Sequence, residues 1–241
     1  MLQINLLLSL QFQSYRLGTC NHRCFIISYS FISKRTLMDF LFNLNVQFYL
    51  VAYLLGGIPF GLILAKVFAG VNITDSGSGS IGATNVLRVV KETNPALAKK
   101  LGAATLALDA LKGIAVVLAA KYFEMSDSVQ WMVAVLAVIG HCFSPYMWFE
   151  GGKGVATGMG AMAVMLPIPT AIALIMWGVA AKTIRISSLS SMLGLLALVI
   201  ASFLLYPNLF HAPVLFIAFI LFYKHIPNFV RLFNGEEKRV A

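Results

Sequence analysis

The chain has 241 residues, of which 59% are apolar and 11% charged, and its formal net charge is +9. A soluble domain carries about a quarter charged residues, so this composition excludes an ordinary soluble protein. A strong positive charge often indicates nucleic-acid binding, but here the lysines and arginines lie in short loops between apolar stretches, as membrane topology requires. The composition therefore predicts an all-α integral membrane protein with no nucleic-acid partner.

Residues 1–37 differ from the rest of the chain because they carry basic residues, such as Arg16 and Arg35, and no acidic residue. They have neither a charged leader at the start nor a small-residue cleavage site, so a signal peptide is not indicated. We expect this segment to be a mis-assigned upstream start or a dispensable, disordered extension. An amphipathic surface segment is the alternative. The membrane domain is then residues 38–241.

The sequence contains a succession of apolar stretches. Most of them approach the length of roughly 20 residues that a membrane-spanning helix needs. Pro59 lies inside the first stretch, and the fourth and fifth are short enough to tilt or bend around Pro167 and Pro169. We predict about seven transmembrane helices. They lie near residues 41–68, 101–123, 129–143, 155–166, 169–181, 188–206 and 213–223.

The basic residues of the loops predict the orientation of these helices. Alternate loops and the tail after the last stretch are basic, whereas the intervening turns carry little positive charge. The positive-inside rule then places the N-terminus outside and the C-terminus in the cytoplasm. The basic residues on the predicted cytoplasmic side are Arg88, Lys91, Lys99, Lys100, Lys153, Lys182, Arg185, Lys224, Arg231, Lys238 and Arg239.

A glycine-rich basic loop, residues 150–157, lies between the third and fourth stretches and reads Glu-Gly-Gly-Lys-Gly-Val-Ala-Thr. Glycines let a backbone bring its N–H groups close to a ligand, and Lys153 supplies a positive charge. The helix that begins after this loop would favour an anion at its N-terminus. The loop therefore predicts a phosphate site, and a glycine-rich turn between helices is the alternative.

The first polar loop alternates serine with glycine over residues 76–80 and ends at Arg88. Serine hydroxyls and backbone N–H groups can surround a phosphate, and arginine offers a bidentate fork. Such a composition is also typical of a flexible linker. The apolar residues of segment 81–87 favour a structured turn into a helix instead.

Ionisable residues also occur inside apolar stretches. Asp109 and Lys112 are three residues apart and so share one helix face. They predict either a structural ion pair or a cation that projects towards a phosphate. His141 at a helix end is either a general base or a hydrogen-bonded structural histidine. His225 and Asn228, after the last stretch, lie among basic residues, which favours ligand contact.

Taken together, these segments resemble the three cytoplasmic motifs of the bacterial, acyl-phosphate-dependent glycerol-3-phosphate acyltransferase (PlsY) family. The segments are residues 76–85, 109–113 and 140–157, and the tail over residues 224–237 is similar as well. The resemblance runs in order from about residue 38 to the C-terminus. Glu150 departs from the family pattern, in which a lysine commonly precedes the double glycine, and lowers the local positive charge.

The resemblance implies an enzyme of the bacterial inner membrane whose site faces the cytoplasm. It would transfer an acyl group from acyl-phosphate, rather than acyl-CoA, to the sn-1 hydroxyl of glycerol 3-phosphate, giving lysophosphatidic acid. It implies no metal or other cofactor, contact with membrane lipid, and functional coupling to an enzyme that produces acyl-phosphate.

The resemblance also assigns residues to this site. Lys112, His141 and Lys153 are the candidate catalytic residues, with the proton acceptor left open; the substrate's own phosphate is our hypothesis for it. The implied substrate-binding residues are Ser78, Ser80, Asn85, Arg88, Asp109, Lys112, Gly151, Gly152, Lys153, Gly154, Thr157, His225 and Asn228.

Other classes of protein fit the sequence less well. A transporter would place its polar site near the middle of the membrane, whereas these motifs fall at one face. A metal-dependent lipid phosphotransferase needs clustered carboxylates, and the only aspartates in or next to these segments are Asp75 and Asp109, which are far apart in the sequence. Glycerolipid acyltransferases of the soluble type use a histidine followed five residues later by an aspartate. Here His141, His211 and His225 are followed at that distance by Tyr146, Phe216 and Val230, so that arrangement is absent.

Overall fold

The computed structural model describes residues 38–237 and is helical, as the sequence predicted. Its main helices are α1 (Leu44–Gly57), α2 (Phe60–Ala69), α3 (Ala83–Lys91), α4 (Pro95–Tyr122), α5 (Asp127–Cys142), α6 (Val155–Met165), α7 (Pro167–Thr183), α8 (Ser187–Leu205) and α9 (Ala212–Phe233). The compact unit that contains the site begins at Gln47. The predictions for residues 1–37 concern a part of the chain outside the described residues.

Five apolar helical stretches of the described chain are long enough to cross a bilayer. They are Leu44–Ala69, which contains α1 and α2, Pro95–Tyr122, Asp127–Met147, Ser187–Leu205 and Ala212–Phe233. Helices α6 and α7 coincide with the two short predicted stretches and are apolar but shorter. The protein is thus an all-α, multi-pass membrane protein, while the count of seven spans and the orientation of the termini stay predictions.

The first long stretch is broken at Pro59, because proline has no N–H to continue the helical hydrogen bonds. The break leaves backbone carbonyl groups without helical partners in an apolar environment, where each must find a donor. The Ser144 hydroxyl donates to the Gly57 carbonyl at 2.7 Å, and the Lys112 ammonium donates to the Ile58 carbonyl at 3.0 Å. The side chains of two other helical stretches therefore stabilise the break.

Helix α4 packs against α2, α3, α5 and α6 and organises the bundle. Its contact with α6 depends on two glycines: a Cβ on Gly113 would overlap the backbone of Thr157, and a Cβ on Gly160 would overlap the backbone of Ala110. Small residues let membrane helices approach closely enough for van der Waals contact to hold them together. This close contact fixes the loop before α6 beside the middle of α4.

Two predicted boundaries are wrong. Helix α4 begins at Pro95 rather than near residue 101, since Asn94 caps it by accepting from the Leu97 N–H at 3.0 Å and proline suits the first helical position. Helix α9 continues to Phe233 rather than ending near residue 223, although Pro227 lies inside it. This extension brings the polar residues after the last apolar stretch onto a helix face.

Candidate active site

A cavity of about 670 Å³ lies among α3, α4, α7, α8, α9 and the loop before α6. Part of its wall is cationic and polar, with Arg88, Lys153 and Arg231 among the lining residues. Another part is apolar and comes from Leu106 of α4 and Trp177 of α7, among others. A cavity of this kind suits a ligand that joins an anionic group to an apolar chain.

Most of the sequence-predicted site residues meet at this cavity. Those that line it are Ser78, Ser80, Asn85, Arg88, Asp109, His141, Lys153, Gly154, His225 and Asn228. The predicted residues outside its lining are Lys112, Gly151, Gly152 and Thr157. These four lie behind the wall, where they pack the loops and helices that form it.

The Asn85 side chain organises the serine-glycine loop. Its amide oxygen accepts from the Ser78 N–H at 2.8 Å, and its amide nitrogen donates to the Ile73 carbonyl at 2.8 Å and the Ser76 carbonyl at 3.2 Å. The side chain is buried, and its amide oxygen and both amide hydrogens bond to the loop backbone. The loop is therefore a structured turn into α3, not a flexible linker, and Asn85 holds the cavity residue Ser78 in place.

Replacing Asn85 by leucine should lower kcat/KM by about 10- to 100-fold and lower the thermal midpoint, because the change leaves buried backbone groups without partners, each costing about 1–3 kcal/mol. Turnover and thermal unfolding in detergent measure both effects. Asn72→Ala is the matched control, since Asn72 bonds only Thr74 and Asp75 in the same loop. Equal effects of Asn85→Leu and Asn72→Ala would contradict the role of Asn85 in holding the serine-glycine loop in place.

The glycines of the loop before α6 serve close packing. A Cβ on Gly151 would overlap the backbone of His141, and a Cβ on Gly152 would overlap its imidazole ring. The Gly152 N–H donates to the His141 carbonyl at 3.0 Å, and Gly154 adopts a positive φ of 79° where α6 begins. The two interpretations of this loop, a tight turn between helices and a phosphate site, are therefore compatible, because the turn presents Lys153 to the cavity.

Burial lowers the pKa of the Lys153 ammonium from its ordinary 10.5 to about 8, against the opposing effect of the Glu237 carboxylate. The neighbouring Arg231, Arg88 and Lys224 lower it further. A bound anion would stabilise the protonated form of Lys153, because it offsets both the hydration lost on burial and the repulsion from the neighbouring cations. The electrostatics of Lys153 therefore point to an anionic ligand.

Asp109 and Lys112 form a buried pair, with the ammonium 2.9 Å from the carboxylate. The same ammonium donates to the Ile58 carbonyl, so Lys112 faces the break between α1 and α2. The imidazole Nδ1 of His141 lies 3.6 Å from the Asp109 carboxylate. This geometry favours the structural ion pair over a cation that projects towards a phosphate.

Helix α9 presents a polar face to the cavity. His225 Nδ1 lies 2.7 Å from the Leu221 carbonyl, so in the neutral ring this nitrogen carries the proton and Nε2 is left as an acceptor. Asn228 donates to Glu237 at 2.6 Å, and Arg231 donates to the other oxygen of the same carboxylate at 2.9 Å. The extension of α9 through Pro227 makes this arrangement possible.

Sequence reasoning missed Ser188, Arg231 and Glu237 as site residues. The Ser188 hydroxyl donates to the Glu237 carboxylate at 2.7 Å, across 49 positions of the chain. Burial alone would raise the pKa of Glu237, but hydrogen bonds from Asn228, Ser188 and Arg231 outweigh it and hold that pKa below its ordinary value. Two sequence features could have indicated these residues: the serine-rich start of α8 and the Gly-Glu-Glu tail after α9.

Within residues 38–237 no group of three or more His, Cys, Asp or Glu side chains is placed to hold a metal ion. The fold and cavity define a multi-pass membrane protein with a cationic, partly apolar site, built from loops and helices that are distant in sequence.

Comparison with known proteins gives the family. The family model described as glycerol-3-phosphate acyltransferase matches residues 46–235. The glycerol-3-phosphate acyltransferase of Sulfurimonas denitrificans is 66% identical over 204 residues, which is 85% of this chain and 100% of that protein. That of Wolinella succinogenes is 60% identical, with the same coverage of each chain. The protein belongs to the glycerol-3-phosphate acyltransferase family.

Solved structures agree with this assignment. The crystal structure of PlsY (YgiH), an integral membrane glycerol 3-phosphate acyltransferase, in its glycerol 3-phosphate form is similar with a TM-score of 0.72 and 32% identity, covering 82% of this chain and 96% of that one. The lysophosphatidic acid form of the same protein gives a TM-score of 0.70 at the same identity, covering 82% and 95%. The resemblance noted in the sequence is confirmed at the level of the PlsY family.

Proposed function

We propose that the protein transfers an acyl group from acyl-phosphate to the sn-1 hydroxyl of glycerol 3-phosphate, giving lysophosphatidic acid and inorganic phosphate. The observation that carries the proposal is one cavity whose wall contains three cations, Arg88, Lys153 and Arg231, and a run of apolar side chains. Both substrates bear phosphate and one bears a long acyl chain. Family membership supports the same reaction.

In the proposed reaction the sn-1 oxygen attacks the acyl carbonyl carbon, a carbon–oxygen bond forms, and the bond between the acyl carbon and the phosphate oxygen breaks. Phosphate leaves with the electron pair of that bond. Because phosphate is a good leaving group, the enzyme needs mainly to position the substrates and stabilise charge. Lys153 neutralises the acyl-phosphate head, and Arg88 with the serines of the first loop binds the glycerol-3-phosphate head.

The hydroxyl proton passes to a phosphate oxygen of the substrate in this proposal. The acceptor Nε2 of His225 and the amide of Asn228 orient the glycerol hydroxyls, since both side chains line the cavity. His141, held by Gly152 and beside Asp109, shapes the wall and takes no proton. Asp109 and Lys112 assemble the site from behind.

We place the protein in the bacterial inner membrane with the site at the cytoplasmic face, the C-terminus in the cytoplasm and the N-terminus outside. The basic loops support this orientation. An acyl-phosphate is a mixed anhydride that reacts readily with water, so an enzyme that forms it must supply the donor. Functional coupling to such an enzyme follows from that chemistry.

The affinity for acyl-phosphate should fall as pH rises through about 8, the pKa of Lys153 whose ammonium binds its head. The protonated amine binds the anion, so affinity is full below this pKa and falls about tenfold per pH unit above it. Binding between pH 7 and 9.5 measures the effect, because the substrate phosphate is already a dianion there. Lys153→Arg keeps its charge in this range, and its affinity should stay flat; a parallel decline in both proteins would contradict the role of Lys153.

Product analysis tests the reaction. Purified protein in detergent, given acyl-phosphate and labelled glycerol 3-phosphate, should form lysophosphatidic acid and phosphate in equal amounts, with the acyl chain on the sn-1 oxygen. A correction for spontaneous hydrolysis of the donor is needed. Phosphate release without acylated product from folded protein would contradict the proposal.

A further inference from the structure

The carboxylate of Glu237 is held inside the cavity by donors from two helices. Ser188 Oγ and Asn228 Nδ2 donate to Oε1 at 2.7 and 2.6 Å, and Arg231 Nε donates to Oε2 at 2.9 Å. The carboxylate side chain is 10% exposed, although the adjacent Glu236 is exposed to solvent. A single anion therefore satisfies a hydroxyl, an amide and a guanidinium together.

These donors suit a phosphate as well as a carboxylate. Hydroxyl, amide N–H and guanidinium groups are the donors that bind phosphate oxygens, and the guanidinium gives the strongest bonds. Lys153 lies close enough for its charge to interact with Glu237, so a second cation acts on the same carboxylate. A phosphate dianion carries more charge and one more acceptor oxygen than Glu237. It would compete with the carboxylate for the same donors.

We propose that Ser188, Asn228 and Arg231 form, together with Arg88 across the same cavity, a seat for the phosphate of glycerol 3-phosphate, and that Glu237 occupies this seat until the substrate displaces it. The proposal rests on the proposed function, since it takes the phosphate of glycerol 3-phosphate as the displacing group. Glu237 keeps the donors in place in the empty site. Its return to the seat after turnover displaces the phosphate head of the product, lysophosphatidic acid.

The cost of this arrangement is a lower apparent affinity for substrate. A ligand that binds only when the seat is open has its affinity reduced by the fraction of molecules in which the seat is open. A variant that weakens the hold of Glu237 should therefore bind glycerol 3-phosphate more tightly. If Glu237 instead only positioned Asn228 and Arg231 for the substrate, the same variant would bind more weakly, so the two roles differ in sign.

The test compares the dissociation constants of glycerol 3-phosphate and of inorganic phosphate for the wild type and three variants, by calorimetry in detergent. Glu237→Gln removes the charge and keeps the size. Glu237→Asp keeps the charge but shortens the reach to Ser188 and Arg231. Glu236→Gln removes the same charge from the neighbouring position, which also borders the cavity. Thermal midpoints establish that each variant is folded.

We expect both Glu237 variants to bind both ligands about tenfold more tightly, the effect of removing a competing charged hydrogen-bonded group. Glu236→Gln should stay within about twofold of the wild type. Weaker binding by the Glu237 variants, an equal gain in Glu236→Gln, or no phosphate binding by any protein would overturn the proposal. Tighter phosphate binding by the Glu237 variants without acyl transfer to glycerol 3-phosphate would support the seat while contradicting the proposed function.

Discussion

Replacing Lys153 by alanine should lower kcat/KM for acyl transfer by about 10³-fold, because the acyl-phosphate loses the cation that neutralises its head and the developing charge of the leaving phosphate. Loss of one preorganised group of this kind costs about 10²–10³ in rate. The cost is larger at Lys153, because burial destabilises its ammonium group and a bound anion therefore stabilises it more than it would stabilise an exposed lysine. Steady-state kinetics with acyl-phosphate as the varied substrate measures the effect.

Two further variants make the result specific. Lys153→Arg keeps a positive charge and should recover part of the activity, although its planar group fits the tight turn between Gly152 and Gly154 less well. Lys182→Ala removes an exposed lysine from another basic loop and should leave activity within about twofold. If Lys153→Ala retained more than a tenth of the wild-type kcat/KM, the proposed role of the loop would be wrong.

Replacing Lys112 by methionine should lower the free energy of unfolding by about 3–5 kcal/mol, the usual cost of removing one partner of a buried ion pair. The change leaves the Asp109 carboxylate without its cation and removes one of the two donors to the Ile58 carbonyl, which also accepts from the Phe60 N–H. Unfolding by heat or denaturant in detergent measures the loss. Binding of glycerol 3-phosphate to the folded fraction should change much less, because Lys112 does not line the cavity.

A second change on the same pair separates charge from packing. The double variant Asp109→Asn with Lys112→Met buries no unpaired charge and should recover a substantial part of the lost stability. Lys66→Met, which removes an exposed lysine near the end of α2, is the matched control and should change stability little. A stable Lys112→Met protein that bound glycerol 3-phosphate tenfold more weakly would instead make Lys112 a phosphate ligand.

The helices could be predicted from the sequence because long apolar stretches dominate it. The break at Pro59 and the short helices α6 and α7 follow from prolines and segment length. The start of α4 was misplaced because Lys99 and Lys100 suggested a loop, although Asn94 and Pro95 are helix-start signals. The end of α9 was misplaced because the apolar run stops at Tyr223, where Lys224 and His225 follow.

The candidate site was predictable where its chemistry is local. The serine-glycine loop and the turn that carries Lys153 are recognisable from residue type and spacing, and both reach the cavity. The direction of a side chain across a helix pair is not local: Lys112 faces Ile58 of the broken first stretch, 54 positions away. The contact between Ser188 and Glu237 likewise depends on how α8 and the tail meet, which no short pattern encodes.

A transporter remains a useful contrast to the proposed enzyme, because both have broken helices and a polar cavity. Most of the charged cavity residues here come from loops and helix ends, including the loop before α6 and the tail after α9, while the apolar ones come from the middle of α4 and α7. Charged residues in such positions suit chemistry at a membrane surface. Formation of a new covalent product separates the two classes directly.

The choice of acyl donor tests the central claim most directly. Purified wild-type protein and Lys153→Ala are each given labelled glycerol 3-phosphate with either acyl-phosphate or acyl-CoA of the same chain length. We predict lysophosphatidic acid from acyl-phosphate alone, and loss of that product in Lys153→Ala. Product from acyl-CoA alone, or from neither donor with folded wild-type protein, would contradict the account.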